Sequence, residues 1–160
     1  MRKIIAAPIS VEGFAPYGSY TSILNPKGNQ LGDFYPDQVA LPVSGDMSVA
    51  FSPLVMRKPD KMIVSAAEFH TTTGEAILIL DDDAVFHVAP PSKAAVPQLT
   101  KAFVVPEGTL VKLNVGVWHM GPLPVHNDIM HVLIVLPERI YADDCTVVEY
   151  ALEDQMEIVL

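Results

Sequence analysis

Cysteine is almost missing from this sequence of 160 residues, in which Cys145 stands alone. One cysteine forms neither an internal disulfide nor a CxxC zinc or redox motif, so a reducing, cytoplasmic location is expected. Basic residues are also scarce, since 10 Lys and Arg face 19 Asp and Glu and give a net charge of −9. Because no cluster of Lys and Arg is present, we expect neither nucleic acid nor an anionic membrane surface as a partner.

Long apolar runs and the common nucleotide and nucleophile motifs are missing too. No apolar run approaches the ~20 residues that a membrane-spanning helix requires. The chain starts with two basic residues and a short apolar stretch that Pro8 interrupts. This pattern favours a first strand over a signal peptide. The sequence contains no GxGxxG, GxxxxGK[ST], GxSxG or HExxH, so nucleotide cradling and serine nucleophile chemistry have no support.

The apolar residues that are present occur in short runs rich in Val and Ile, separated by Pro, Gly, Asn and Asp. This punctuation is typical of β-strands, and helical spacing is nearly absent. About ten short strands need a closed barrel or a double sheet to avoid exposed edges. We therefore predict an all-β fold, a β-sandwich or a barrel of the jelly-roll type, forming a single domain over residues 1–160. The expected strands are 3–7, 19–24, 47–56, 62–69, 75–80, 84–89, 101–105, 109–114, 129–136 and 145–150.

The segments between these strands are expected to be turns and loops. The runs 81–83 and 106–108 are interpreted as hairpin turns. We expect loops at residues 25–46 and 90–97, because apolar residues show no regular spacing there. The first loop is long enough for a lid or a dimer contact. A chain of this length buries roughly 70% of its unfolded surface without help, so a bound metal is expected to be functional rather than structural.

The densest polar group surrounds Glu68, His70 and Glu75. Alternate residues of a strand share a face, so Glu68 and His70 point the same way, and Glu75 can return to that face after a turn. Imidazole with carboxylate suits zinc, manganese, iron or nickel. An equally open interpretation is a solvated strand end at which Glu68 and His70 only cap backbone groups.

A second group contains Trp118 and His119, which follow the Pro106-Glu107-Gly108 turn. His119 has apolar neighbours, which suggests burial and a need for a partner, and Trp118 offers an apolar wall for a pocket. The alternative is an ordinary core histidine beside a packing tryptophan.

Five further features of the sequence give weaker evidence for a functional site. Arg57 follows an apolar run, where it either holds a substrate carboxylate in a two-point fork or is a surface charge. We expect His87 and His131 to form hydrogen bonds in the core, although His87 could join a site from a neighbouring strand. His126 and the aspartate run 81–83 are expected to be solvated, because the run lacks the spacing of a calcium loop.

Together these motifs resemble the cupin superfamily, and within it the ureidoglycolate lyase family. The shared elements are the early Phe14-Ala15-Pro16-Tyr17-Gly18, Arg57 before a proline, Glu68-Phe69-His70 with Glu75, Pro106-x-Gly108, Gly116-Val117-Trp118-His119 and Asp144-Cys145-Thr146-Val147. The sequence departs from the family pattern at five positions, where Phe69, Thr71, Glu75, Asn114 and Met120 replace Arg, Pro, Gln, His and His.

The resemblance implies cleavage of ureidoglycolate into glyoxylate and urea, a step of allantoin breakdown, and a homodimer. It assigns His119 and Glu75 to proton transfer or metal binding, His70 to metal or substrate, and Arg57 to the substrate carboxylate, with Trp118 beside the substrate. The charged set Glu68, His70, Glu75 and His119 could hold one divalent ion. The alternatives are another metal-dependent cupin enzyme, an isomerase or epimerase of a sugar or a keto or hydroxy acid, and a cupin that only binds a small acid.

Overall fold

The structure, a computed structural model, describes residues 1–160 and is built almost entirely of β-strands. The helical parts are one turn each: α1 (Val11–Phe14), α2 (Ile140–Asp143) and a 3-10 turn at Pro97–Leu99. None of them has the length and apolar character needed to span a bilayer. The strands are β1 (Arg2–Pro8), β2 (Gly18–Ser22), β3 (Val49–Arg57), β4 (Ile63–Val64), β5 (Ala66–Phe69), β6 (Glu75–Ile79), β7 (Ala84–Ala89), β8 (Lys101–Val105), β9 (Thr109–Leu113), β10 (Trp118–His119), β11 (Leu123–Pro124), β12 (Ile129–Pro137), β13 (Thr146–Glu149) and β14 (Met156–Val159).

The strands form two sheets. The large sheet has nine strands in the order β13-β5-β10-β7-β8-β1-β14-β4, with β11 paired to β7, and the small sheet has the order β2-β9-β6-β12-β3. From β5 onwards the chain passes repeatedly between them: β6, β9 and β12 lie in the small sheet, and the strands between them lie in the large one. Such alternation is the winding of a jelly roll, and the predicted all-β class is confirmed.

The interpretation of residues 81–83 and 106–108 as hairpin turns is wrong. Residues 81–83 join β6 of the small sheet to β7 of the large sheet, and residues 106–108 join β8 of the large sheet to β9 of the small sheet. A hydrogen bond of 2.9 Å from the backbone N–H of Glu107 to the Asp83 carboxylate holds these two segments side by side. Both segments are therefore corners at which the chain changes sheets.

The apolar residues are divided between two clusters, one on each face of the large sheet. On β7, Phe86 and Val88 belong to the larger cluster between the sheets, and Val85 and Ala89 belong to the second cluster. On β5, Ala67 lies in the second cluster. Since strand neighbours alternate, Glu68 and His70 are directed to the interior between the sheets.

Candidate active site

Three strand ends bring the four predicted ligand residues together. The β5–β10 register places His119 opposite Glu68, so residues distant in sequence meet on one face of the large sheet. His70 follows directly after β5, and Glu75 begins β6 in the opposing sheet. The turn 71–74 thus carries the chain across the interior and aims Glu75 back at His70.

The centre of the site is a buried histidine–glutamate–histidine group. Glu75 Oε2 lies 2.7 Å from His119 Nε2 and 3.4 Å from His70 Nε2. All three residues are buried, and Glu75 is only 6% exposed. Burial excludes the solvated alternative for His70. His119 is a buried histidine with a partner on each ring nitrogen, as a core histidine would be, and its partner Glu75 is shared with His70.

Glu75 and the two histidines stabilise one another's charged forms. Burial raises the pKa of Glu75, but the nearby His119 and His70 more than offset that effect and bring the pKa down to about 2. Burial lowers the pKa values of both histidines, and the nearby Glu75 carboxylate, together with the backbone carbonyls that accept from each ring, raises them above the ordinary value. Glu75 is therefore ionised, and a proton on His119 Nε2 is favoured because that N–H can donate to the carboxylate.

Backbone carbonyls fix the orientation of both imidazole rings. His70 Nδ1 lies 2.7 Å from the carbonyl oxygen of Asp144, and His119 Nδ1 lies 2.8 Å from that of Val117. Each Nδ1 can only donate to a carbonyl, which leaves Nε2 to face the site. His70 Nε2 is buried and has no hydrogen-bond partner.

These features fit a divalent metal ion. One ligand atom from each of Glu68, His70 and His119 lies within 4.8 Å of the other two. Metal-binding histidines commonly donate their second ring N–H to a carbonyl, as both do here. Cys145 Sγ lies 3.1 Å from Glu68 Oε2, and burial together with that carboxylate raises the pKa of the thiol to about 12, so Cys145 stays protonated and supports Glu68.

The turn between His70 and Glu75 is held by Asp144. Its carboxylate accepts hydrogen bonds from the backbone N–H groups of Thr71 and Thr72 and from the Thr71 hydroxyl, at distances of 2.6 to 3.0 Å. At Gly74 a Cβ would clash with the backbone carbonyl of Leu113, so the close approach of β6 and β9 requires glycine there. The position of Glu75 thus depends on residues that do not contact it.

The two residues predicted to contact substrate lie away from this group. Trp118 is buried, its Nε1 donates to Ser92 Oγ at 3.0 Å, and it packs on Phe69 at a ring-centroid distance of 4.4 Å within the second cluster. Arg57 is exposed at the end of β3, and its side chain forms no hydrogen bond or ion pair. Since Met56 packs against the core between the sheets, alternation directs Arg57 outward. Their contacts with substrate stay predictions.

Among the weaker expectations, those for His131 and for the aspartate run 81–83 are wrong. His131 is exposed and pairs with Asp81 on the surface instead of lying in the core, because it alternates with the inward-facing Met130 and Val132. Asp82 is buried, and its carboxylate accepts from the backbone N–H groups of His126 and Asn127, so the aspartate run is not simply solvated.

His87 and His126 complete the set of histidines. His87 is buried, but the hydrogen bond expected for it in the core is absent, so that expectation is wrong as well. Burial together with the nearby His119 lowers its pKa to about 4. It lines a separate cavity of about 180 Å³. His126 is exposed, as expected.

The comparison with protein families decides the classification. The model described as "Ureidoglycolate lyase" matches residues 1–159. The chain belongs to the ureidoglycolate lyase family. The sequence-based resemblance to this family is therefore confirmed. No curated protein matches the chain.

One similar solved structure is RmlC from Streptococcus suis in complex with dTDP-D-xylose. It has 15% sequence identity and a TM-score of 0.39, and the match covers 66% of this chain and 46% of the other. The chain thus matches less than half of that protein's length.

The residues that sequence reasoning missed act through the backbone or from a helix end. Asp144 holds the turn and supplies the carbonyl for His70, and Tyr141 of α2 lies edge-on to His70 at a centroid distance of 6.4 Å. The only sequence signal for Asp144 is the Asp144-Cys145-Thr146-Val147 element shared with the family, and the sequence offers none for Tyr141.

Proposed function

We propose that this member of the ureidoglycolate lyase family cleaves ureidoglycolate to glyoxylate and urea. The observation that carries the proposal is the buried group of His70, Glu75 and His119, in a chain that matches the family over residues 1–159. The reaction requires a base for the 2-hydroxyl proton and an acid for the departing nitrogen. This group contains an unpartnered imidazole nitrogen and an imidazole stabilised in its protonated form.

In the proposed reaction, His70 Nε2 accepts the proton of the 2-hydroxyl group. The oxygen electron pair then forms the carbonyl of glyoxylate, and the carbon–nitrogen bond breaks with its electrons moving to nitrogen. His119 Nε2 donates its proton to that nitrogen, which completes urea. Glu75 stays ionised throughout and stabilises the positive charge that moves between the two rings.

A divalent ion fits the same place, and Glu68, His70 and His119 are the residues that would hold it. Such an ion would supply Lewis-acid polarisation of the hydroxy-acid oxygens. Proton transfer would then be assigned to Glu75, which contacts both histidines. The identity of the ion, among zinc, manganese, nickel and iron, belongs to this proposal.

The substrate carboxylate also needs a positive group, because a protein of net charge −9 does not attract an anion by its overall field. We assign this role to Arg57, whose guanidinium has no partner in the chain. Its outward direction requires the substrate to bind at the end of β3 or the strand end to turn inward. Loss of the guanidinium is expected to raise KM more than it lowers kcat.

The test is release of glyoxylate from (S)-ureidoglycolate above spontaneous decay, with added manganese, nickel or zinc and in parallel with a chelator. We expect His119→Ala to lower kcat by about 10²-fold or more, because it removes the proton donor. His126→Ala is the matched control, since that histidine is exposed. If His119→Ala leaves both turnover and metal content unchanged, the assignment of the site is wrong.

The second candidate is another metal-dependent cupin reaction, an isomerisation or epimerisation. The cluster of Glu68, His70 and His119 favours it, because an acidic ligand added to two histidines suits a tightly held ion. Metal that survives dialysis, together with no glyoxylate release under any of the three metals, would put this candidate first.

A further inference from the structure

A cleft outside the proposed active site is lined by hydrogen-bond donors. It has a volume of about 340 Å³ and lies where β9 ends, between the turn 72–74 and the loop at Pro42–Ser44. Lys112, Asn114, Thr73 and Ser44 contribute its polar groups, and none of its lining residues is acidic.

The cleft is separated from the histidine–glutamate group by the small sheet. In the register of β6 and β9, Glu75 lies opposite Leu113, and Ala76 lies opposite Lys112. Leu113 is buried in the core between the sheets, so alternation directs Lys112 and Asn114 to the outer face. A molecule in the cleft would not contact the catalytic histidines.

The donors in the cleft are only partly satisfied within the chain. Lys112 Nζ donates to Asn114 Oδ1 at 2.7 Å and forms no ion pair with a carboxylate. Because Asn114 Oδ1 accepts from the lysine, the amide NH₂ of Asn114 remains available to donate. Thr73 is only 3% exposed, and its Oγ1 has no hydrogen-bond partner, a state that costs free energy unless a ligand supplies the missing partner.

We propose that this cleft binds a small oxyanion, a phosphate or a carboxylate, which is held by Lys112, Asn114 and Thr73. An oxyanion accepts from all three groups and neutralises the lysine, and charge-assisted bonds of this kind are the stronger ones. Pro42, Val43 and Val115 form the apolar part of the wall, which suits an organic group attached to the anion. The proposal requires no turnover and goes beyond the proposed lyase reaction.

The experiment measures binding of inorganic phosphate and, separately, of acetate to the full chain by amide chemical shifts in NMR titrations, at ionic strength matched with sodium chloride. We expect saturable shifts centred on residues 72–74 and 112–115, with the tighter of the two anions identifying the head group. Lys112→Met should weaken binding about tenfold, since it removes the charge. Thr73→Val should weaken it about threefold to tenfold while leaving the fold intact, because valine has the same shape and removes a buried unpartnered hydroxyl.

Two controls separate this site from others. Lys101→Met removes an exposed lysine of the large sheet and should leave the affinity unchanged. Arg57→Met should also leave it unchanged, because Arg57 belongs to the proposed substrate site. Shifts that do not saturate, that persist in Lys112→Met and Thr73→Val, or that are lost in Arg57→Met would each overturn the proposal, whether or not ureidoglycolate is cleaved.

Discussion

Glu75 provides the negative charge at the centre of the site, because one of its buried carboxylate oxygens lies close to both His70 and His119. Its pKa is lowered to about 2, so the stability it contributes is present above its unfolded value of 4.5 and is lost as pH falls from there towards 2. The pKa values of His70 and His119 are raised above 6.5, so their contribution is present below pH 6.5 and is lost as pH rises through their folded values.

Glu75→Gln should remove the pH dependence of Glu75 itself and abolish the upward pKa shift of the two histidines, because burial alone lowers their pKa values. We expect the free energy of unfolding to fall by about 1–3 kcal/mol near pH 6, because the buried imidazoles lose their charged partner. The profile from pH 3 to 9, measured by urea denaturation, should become flatter below pH 4.5 and should lose the decline above pH 6.5. Glu107→Gln, at an exposed glutamate, is the control and should preserve the wild-type profile. A Glu75→Gln profile parallel to that of the wild type would contradict the assigned charges.

At the scale of single elements, the sequence predicts long strands well and short ones poorly. The predicted strands 84–89 and 101–105 agree with β7 and β8 at both ends. The predicted strand 62–69 is interrupted at Ser65, whose carbonyl accepts from the N–H of Tyr150. β10 and β11 have two residues each, too few for any alternation to show, and β14 was missed together with both helices. His119 was therefore recognised as a site residue without the strand that positions it.

The turn 71–74 is the element on which the geometry of the site depends most. Asp144→Ala should free the N–H groups of Thr71 and Thr72 and the carboxylate-bound Thr71 hydroxyl, and we expect a loss of about 1–3 kcal/mol in the free energy of unfolding. Because the same turn joins His70 to Glu75, glyoxylate release should fall as well. Denaturation and turnover are the two measurements.

Asp143→Ala is the matched control for this turn, since the neighbouring Asp143 is exposed and its side chain forms no hydrogen bond. Asp144→Asn, which keeps one side-chain oxygen as an acceptor, should lie between wild type and Asp144→Ala in both measurements. If Asp144→Ala loses no more stability than Asp143→Ala, the turn does not depend on this carboxylate.

At the scale of the whole molecule, the expected homodimer stays a prediction, and the outer face of the small sheet is the surface that supports it. On β3 and β12, Phe51 is paired with Val135, and Pro53 is paired with Leu133. Their neighbours Val132 and Ile134 point into the core, so these four side chains form an apolar row directed away from it. Phe51 is 69% exposed, and β3 is also an edge of its sheet, which proteins usually cover or protect.

A second copy of the chain would cover this face, and Phe51→Glu should prevent that. A stable dimer buries about 800 Å² on each partner with an apolar centre, and a carboxylate there would be buried without a partner. We expect light scattering after gel filtration to show a dimer for the wild type and a monomer for Phe51→Glu. Leu152→Glu, at a residue that is also highly exposed but lies in the turn before β14, should remain dimeric. A monomeric wild type, or a dimer that survives Phe51→Glu, would show that this face is not the interface. If the Phe51→Glu monomer still releases glyoxylate, each barrel holds a complete site.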